Sequence, residues 1–112
     1  MATFEDVRRI SLSLPEATEI LTWETDATFR VGKKIFAISS EGATHVSIKS
    51  TPFIQEDLID RDPDTFARAA YVGRFGWVEV NLERVDLVEL ESLLTDAWRL
   101  TAPKKLVAKH LE

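Results

Sequence analysis

The chain has 112 residues, 45% of them hydrophobic, and a formal net charge of −5 at pH 7. This length and composition predict one globular domain over residues 1–112, large enough to bury a core of its own. There is no cysteine, which excludes disulfides, thiolate nucleophiles and cysteine–zinc sites. No apolar run approaches membrane-spanning length and no signal-peptide pattern begins the chain, so we expect a cytoplasmic protein.

The first two elements are predicted to be a helix and a strand. Residues 3–13 carry apolar side chains at helical spacing, and Thr3 followed by Asp6 three positions later is typical of a helix N-cap. Pro15 ends this helix, because the residue before a proline avoids the helical region. Residues 17–23 alternate in polarity and predict a strand of ambiguous phase.

Residues 29–37 predict the β-hairpin around which the sheet is organised. Phe29 and Val31 alternate with polar neighbours, which is the period of a half-buried strand. Gly32 suits the first central position of a two-residue turn, where φ must be positive. The apolar run 35–38 is typical of a central strand.

After the hairpin, the pattern predicts another strand and a short helix. Residues 44–49 alternate cleanly, which indicates a strand with one solvated face. Thr51 followed by Pro52 is typical of a helix start, with threonine as the cap and proline at the first helical position. The apolar face of this helix is predicted to comprise Phe53, Ile54, Leu58 and Ile59.

The last third predicts a strand and a long helix. Residues 65–76 fit either a helical turn or a loop, and this choice stays open. Residues 77–82 alternate as a strand, and Asp86 begins a helix with a wide apolar arc. Pro103 stops or kinks that helix, and residues 104–112 form a basic amphipathic tail.

These elements predict the α+β class, in the order α-β-β-β-(β)-α-β-α. Antiparallel strands next to amphipathic helices give a two-layer sandwich, with a sheet backed by helices on one face.

Several short pieces follow one another with characteristic spacing. They are Leu14-Pro15 with Thr18 and Glu19, Trp23 before the 29–37 hairpin, residues 46–49, Pro52 with Leu58, residues 76–78, and Leu93-Leu94 leading to Leu100. In this order they resemble the MmcQ/YjbR family of small bacterial proteins, over nearly the whole chain.

That resemblance implies a fold like those of frataxin-type and secretion-chaperone-like domains, in the order α-β-β-β-α-β-β-α. It also implies a suggested role in DNA binding. Many relatives carry a Ser-Tyr pair where Ala97-Trp98 stand here, so any polar role of that serine is absent from this chain.

The residues themselves predict a binding protein and no enzyme. His45 and His110 are the two histidines, and they are far apart in sequence. No nucleophile elbow and no glycine-rich phosphate loop is present. A frataxin-type iron site would need a dense carboxylate ridge, which the first helix does not offer. We therefore expect no catalytic residue, no cofactor and no metal.

Two basic segments favour contact with phosphate, despite the acidic total. One lies within residues 28–50, and the other lies within residues 99–110, which contain no acid. The candidate DNA-contacting residues are Arg30, Lys33, Lys34, Lys49, Arg74 and Trp77, the last as an exposed surface on which a base stacks. The alternative interpretations are that the lysines keep an exposed turn soluble, that the tail cations complement a helix dipole, and that Trp77 is packed.

Two other functions remain open at this stage. An open sheet with free edges is suited to a protein partner or to homodimerisation, through Trp23, Phe36, Ile38 and Trp77. An enzyme or ligand-binding domain would instead have a pocket between the sheet and the loop over residues 65–76.

Overall fold

The structure is a computed structural model, and it describes residues 1–22 and 25–110. Its helices are α1 (Phe4–Ser13), α2 (Pro52–Arg61), α3 (Leu87–Thr101) and α4 (Lys104–His110). Its strands are β1 (Ala17–Thr22), β2 (Asp26–Val31), β3 (Lys34–Ser40), β4 (His45–Ile48), β5 (Phe66–Arg68) and β6 (Val78–Asn81). A turn of 3₁₀ helix spans Gly73–Phe75. The predicted α+β class is confirmed.

The six strands form one antiparallel sheet in the order β1-β2-β3-β4-β6-β5. The β4–β6 pair joins the two halves of the chain, with Val46 opposite Val80 and Ile48 opposite Val78. β1 and β5 are the edge strands. The helix α2 and the strand β5 lie in the connection between β4 and β6.

Helices α1 and α3 pack against the sheet to form the second layer. α1 contacts β1, and α3 contacts β3 and β4. Trp98 of α3 is fully buried, and its indole N–H donates a hydrogen bond to the Pro15 carbonyl at 3.0 Å. This tryptophan therefore fastens the long helix to the turn that follows α1.

The predicted start of α1 is confirmed in detail. The Asp6 backbone N–H donates to the Thr3 hydroxyl, and the Asp6 carboxylate accepts from the Thr3 backbone N–H at 2.9 Å. That second hydrogen bond lowers the pKa of Asp6 below its usual value. Arg8 then binds Glu19 of β1 with two hydrogen bonds of 2.8 and 2.9 Å, which ties the helix to the sheet edge.

The predicted hairpin is confirmed, and it contains a β-bulge. Gly32 adopts a φ of +62° in the two-residue turn. The register skips Phe36, because Phe29 faces Ala37 while Arg30 faces Ile35. Phe36 and Ala37 both point into the core and are both fully buried.

Phe36 and Trp23 were both predicted to lie on a protein interface. The prediction that Phe36 lies on an exposed interface is wrong, because the bulge turns its ring into the core. Trp23, which was predicted to share that interface, lies outside the described residues.

The apolar face predicted for α2 is partly wrong. The Thr51 cap is confirmed, since its hydroxyl accepts from the Ile54 backbone N–H at 3.3 Å. Leu58 is buried, but Phe53 is 82% exposed. Gln55, a polar residue outside the predicted apolar face, is buried together with Leu58.

Residues 65–76 contain a strand that the sequence pattern did not predict. β5 pairs with β6 through Phe66 opposite Val80, and it adds a sixth strand at the sheet edge. The basic tail forms α4 up to His110; Leu111 lies outside the described residues. No helix in the described ranges is long and apolar enough to cross a membrane.

Gly76 permits a close approach between the loop before β6 and the backbone at the start of α2. It has a φ of +102°, and a Cβ placed on it would lie 2.6 Å from the Thr51 carbonyl carbon and 2.7 Å from the Pro52 nitrogen. Backbone atoms cannot move aside as a flexible side chain can. The loop that precedes β6 is thus seated directly on the start of α2.

We expect Gly76→Ala to lower the free energy of unfolding by about 2–4 kcal/mol, from the positive φ and the backbone clash together. Gly42→Ala is the matched control, because Gly42 has a φ of +79° and open space around its Cα. That variant should lose only about 1 kcal/mol. Urea denaturation followed by circular dichroism measures both, and equal losses would contradict the close approach.

Candidate nucleic-acid interface

One end of the sheet gathers basic side chains from distant parts of the chain. The β2–β3 turn, the end of β4, the end of β5 and the start of β6 lie at this end, because these strands are paired antiparallel. Lys33 and Lys34 are in or beside the turn, and Lys49 directly follows β4. We call this surface the basic end, and it comprises Lys33, Lys34, Lys49, Arg68, Arg74 and Lys104.

The two basic segments of the sequence meet here. Lys33 and Lys34 share a cavity of about 460 Å³ with Lys104, which lies between α3 and α4. All three side chains are exposed, and none is in an ion pair with a residue of the described ranges. This groove is therefore positively charged on two sides, one from the hairpin and one from the helix junction.

Acidic side chains gather at the opposite end of the strands. Asp26 begins β2, Glu41 follows β3 and Glu83 follows β6. Asp62 and Asp64 precede β5. Most of the charge is thus separated along the strand direction, so the net charge of −5 does not describe the surface that an approaching anion meets at the basic end. The acids at the basic end are Glu16 before β1 and Glu56 and Asp60 of α2.

Arg30 is not part of the basic end. Its guanidinium donates to the hydroxyls of Thr28 at 2.9 Å and Thr22 at 3.2 Å. The register places Thr22 at the far end of β1, so the side chain lies along the sheet face and points away from Lys33. The structure does not bring Arg30 together with the turn lysines as the sequence predicted.

Trp77 is buried, with 9% of its surface exposed. The prediction that its ring is an exposed stacking surface is wrong, and so is its alternative assignment as an exposed interface residue. Tyr71, in the loop before it, is 95% exposed and so does not cover it.

A second cavity, of about 360 Å³, lies between α2 and the loop that follows β5. The sequence predicted a pocket between that loop and the sheet, so its position differs. Arg68 and Arg74 line one side, and Glu56 and Asp60 line the other. The charges in this cavity balance, which makes it a poor site for a phosphate group on its own.

Gln55 holds that loop in place, a role that the sequence pattern did not predict. It is 6% exposed, and its amide group donates to the carbonyls of Gly73 and Trp77, both at 2.7 Å. The available signal was a polar residue one turn before Leu58 on the buried side of α2. A side chain that bridges two loop carbonyls fixes the path of residues 73–77.

Three exposed aromatic rings lie beside this loop, at Phe53, Tyr71 and Phe75. They are 82%, 95% and 60% exposed. We call them the aromatic cluster. The Arg74 guanidinium lies 4.8 Å from the centre of the Phe75 ring, in a cation–π contact.

The histidines are on separate elements. His45 begins β4 at the acidic end and hydrogen-bonds the Thr44 hydroxyl at 2.8 Å. The His110 ring packs edge-on against Trp98, with 4.9 Å between the ring centres. Within residues 1–22 and 25–110, no group of three or more His, Asp or Glu side chains is arranged to hold a metal ion.

Comparison with known proteins places the chain in a family. The YjbR family model matches residues 12–100. The chain belongs to the YjbR family. Uncharacterised proteins of Mycobacterium tuberculosis and Mycobacterium bovis are 28% identical, and the alignments cover 99% of this chain and 97% of theirs.

The YjbR fold is also confirmed by a solved structure. The crystal structure of a Deinococcus radiodurans protein with a DUF419 domain superposes with a TM-score of 0.83 at 25% identity. The superposition covers 94% of this chain and 82% of that protein. The family resemblance drawn from the sequence is therefore confirmed. The basic end and the aromatic cluster are surfaces of this YjbR fold.

We expect Gln55→Met to lower the free energy of unfolding by about 1–2 kcal/mol, because two carbonyls lose a hydrogen-bond donor while the side-chain volume is kept. Glu56→Met, on the next and exposed position of α2, is the control and should change it by less than about 0.5 kcal/mol. Urea denaturation compares the two. A Gln55→Met protein as stable as the wild type would show that the bridge does not hold the loop.

Proposed function

We propose that this protein is a non-enzymatic, cytoplasmic binding protein that contacts the DNA backbone through its basic end. The observation that carries the proposal is the shared groove of Lys33, Lys34 and Lys104. Residues from two distant segments converge there without an ion-pair partner in the described ranges. Unpaired, exposed lysines are the usual partners of phosphate in nucleic-acid contacts.

The separation of charge supports the same proposal. A polyanion is attracted to the basic end and repelled by the acidic end, so it meets the protein in one orientation. Lys49 directly follows β4, which pairs with β3 on one side and with β6 on the other. It therefore lies between the lysine groove and the start of α2. The basic surface therefore continues across the sheet end.

Four backbone contacts, from Lys33, Lys34, Lys49 and Lys104, predict a salt-dependent affinity for duplex DNA. A plot of log Kobs against log salt concentration should have a slope of about −3 to −4. The double variant Lys33→Ala/Lys34→Ala should reduce that slope by about two. Fluorescence anisotropy with a labelled duplex measures both.

The control for this experiment is Arg84→Ala. Arg84 is an exposed cation at the acidic end, near Asp64, and it lies outside the proposed surface. Its removal lowers the net charge by one, half of the change made by the double lysine variant, and the slope should stay the same. A flat salt response, no binding at low salt, or an equal effect of Arg84→Ala would reject the proposal.

The edge strand β1 favours a second candidate function, a homodimer without nucleic acid. Ile20 and Leu21 are 45% and 67% exposed on this strand, and no strand of the described residues pairs with its outer edge. An uncovered edge with apolar side chains is suited to pairing with a second copy. Sedimentation over a range of concentrations should then show a dimer that Leu21→Lys weakens. A monomer at every concentration would reject this candidate.

A further inference from the structure

Two rings of the aromatic cluster, Phe53 and Phe75, come from segments that are held against each other. Phe53 follows Pro52 at the start of α2, and Phe75 precedes Gly76 in the loop. Gly76 packs directly against the backbone of Thr51 and Pro52. A Cβ placed on Gly76 would lie 2.6 Å from the Thr51 carbonyl carbon. The two rings are thus carried by adjoining backbone, and they lie at the basic end of the sheet.

Tyr71 is both strained and exposed. Its φ of +64° is in the left-handed region, which costs a bulky residue about 1–2 kcal/mol. Its ring is 95% exposed, and its phenol makes no hydrogen bond to a described residue. Neither burial nor hydrogen bonding within the described fold offsets that cost, which is the situation expected of a residue kept for contact with a ligand.

The backbone on both sides of Phe75 is held by hydrogen bonds. Gln55 bridges the Gly73 and Trp77 carbonyls, and the Phe75 backbone N–H donates to the Val72 carbonyl at 3.0 Å. Rings held by fixed backbone lose little conformational entropy when a flat group stacks on them.

We propose that the aromatic cluster stacks unpaired bases and that the protein prefers single-stranded nucleic acid. This inference rests on the proposed function, since the strand's phosphates follow Lys49 toward Lys33 and Lys34. Bases offer their faces to aromatic rings only when they are unpaired, and a combination of such rings with cations is the pattern of single-strand binding. Arg74, whose guanidinium lies 4.8 Å from the centre of the Phe75 ring, adds a positive charge beside that ring.

The acids of the neighbouring cavity define the path of the strand. Glu56 and Asp60 lie on the α2 side, so a phosphate chain is repelled there. Lys49, which follows β4, lies on the other side of the aromatic cluster. From β3 to β5 the sheet end spans three inter-strand spacings, about 15 Å, which is enough for a short oligonucleotide.

The test compares three labelled probes by fluorescence anisotropy at one low salt concentration: a thymidine 12-mer, an abasic 12-mer and a 12-base-pair duplex. The thymidine strand should bind about tenfold or more tightly than the abasic strand, because only the former can stack. Tyr71→Ala and Phe75→Ala should each weaken thymidine binding about fivefold or more. Tyr71→Phe keeps the ring and should bind the thymidine strand as tightly as the wild type does.

Two controls separate stacking from folding. Tyr71→Gly relieves the positive φ, so a loss of thymidine binding in that variant cannot be attributed to a less stable protein. Val88→Ala removes an exposed apolar side chain, 76% exposed, near the start of α3 at the acidic end, and it should bind as the wild type does.

The outcomes distinguish this inference from the proposed function. Equal affinity for thymidine and abasic strands, together with salt-dependent duplex binding, would overturn stacking and leave the backbone contact in place. Ring variants that bind thymidine as tightly as the wild type would also overturn stacking. Binding to none of the three probes would overturn both.

Discussion

The antiparallel pairing of β4 with β6 is the contact on which the described surfaces depend. It joins residues that are 30 or more positions apart, through Val46 with Val80 and Ile48 with Val78. Because it places the end of β4 beside the start of β6, it also sets Lys49 beside the loop that Gln55 holds. Without this pairing, the hairpin lysines and the aromatic cluster would have no common scaffold.

Local patterns predicted most of the fold, because caps, turns and strand alternation are local physics. The Thr3–Asp6 box and the Gly32 turn formed as their residues indicated. β5 was missed because it has three residues, of which only Phe66 is buried, and so it has no period to detect. The residues indicated four strands before α2, the family resemblance indicated two after it, and the structure has both.

The candidate site was predictable only in part, since it depends on which distant residues meet. The exposure of Lys33 and Lys34 follows from a tight turn, but their proximity to Lys104 follows from the packing of α3 on the sheet. Alternation predicted Trp77 to lie opposite in phase to Val78, but Trp77 precedes β6 and is buried, because period alone cannot say whether a face is covered. Arg30 shows the same limit, because the Thr22 and Thr28 hydroxyls determine where its guanidinium points.

Three residues of α2 and of the loop after β5 break local rules, as Glu16 with its φ of +58° does elsewhere in the chain. Phe53 is exposed where an apolar residue was expected inside, Gln55 is buried where a polar residue was expected outside, and Tyr71 adopts a conformation that favours glycine. A sequence selected for stability alone would reverse all three. The burial of Gln55 is explained by its hydrogen bonds to two loop carbonyls, and that loop carries the exposed rings of Tyr71 and Phe75, the second beside Arg74. The proposed stacking of bases on these rings would account for their exposure.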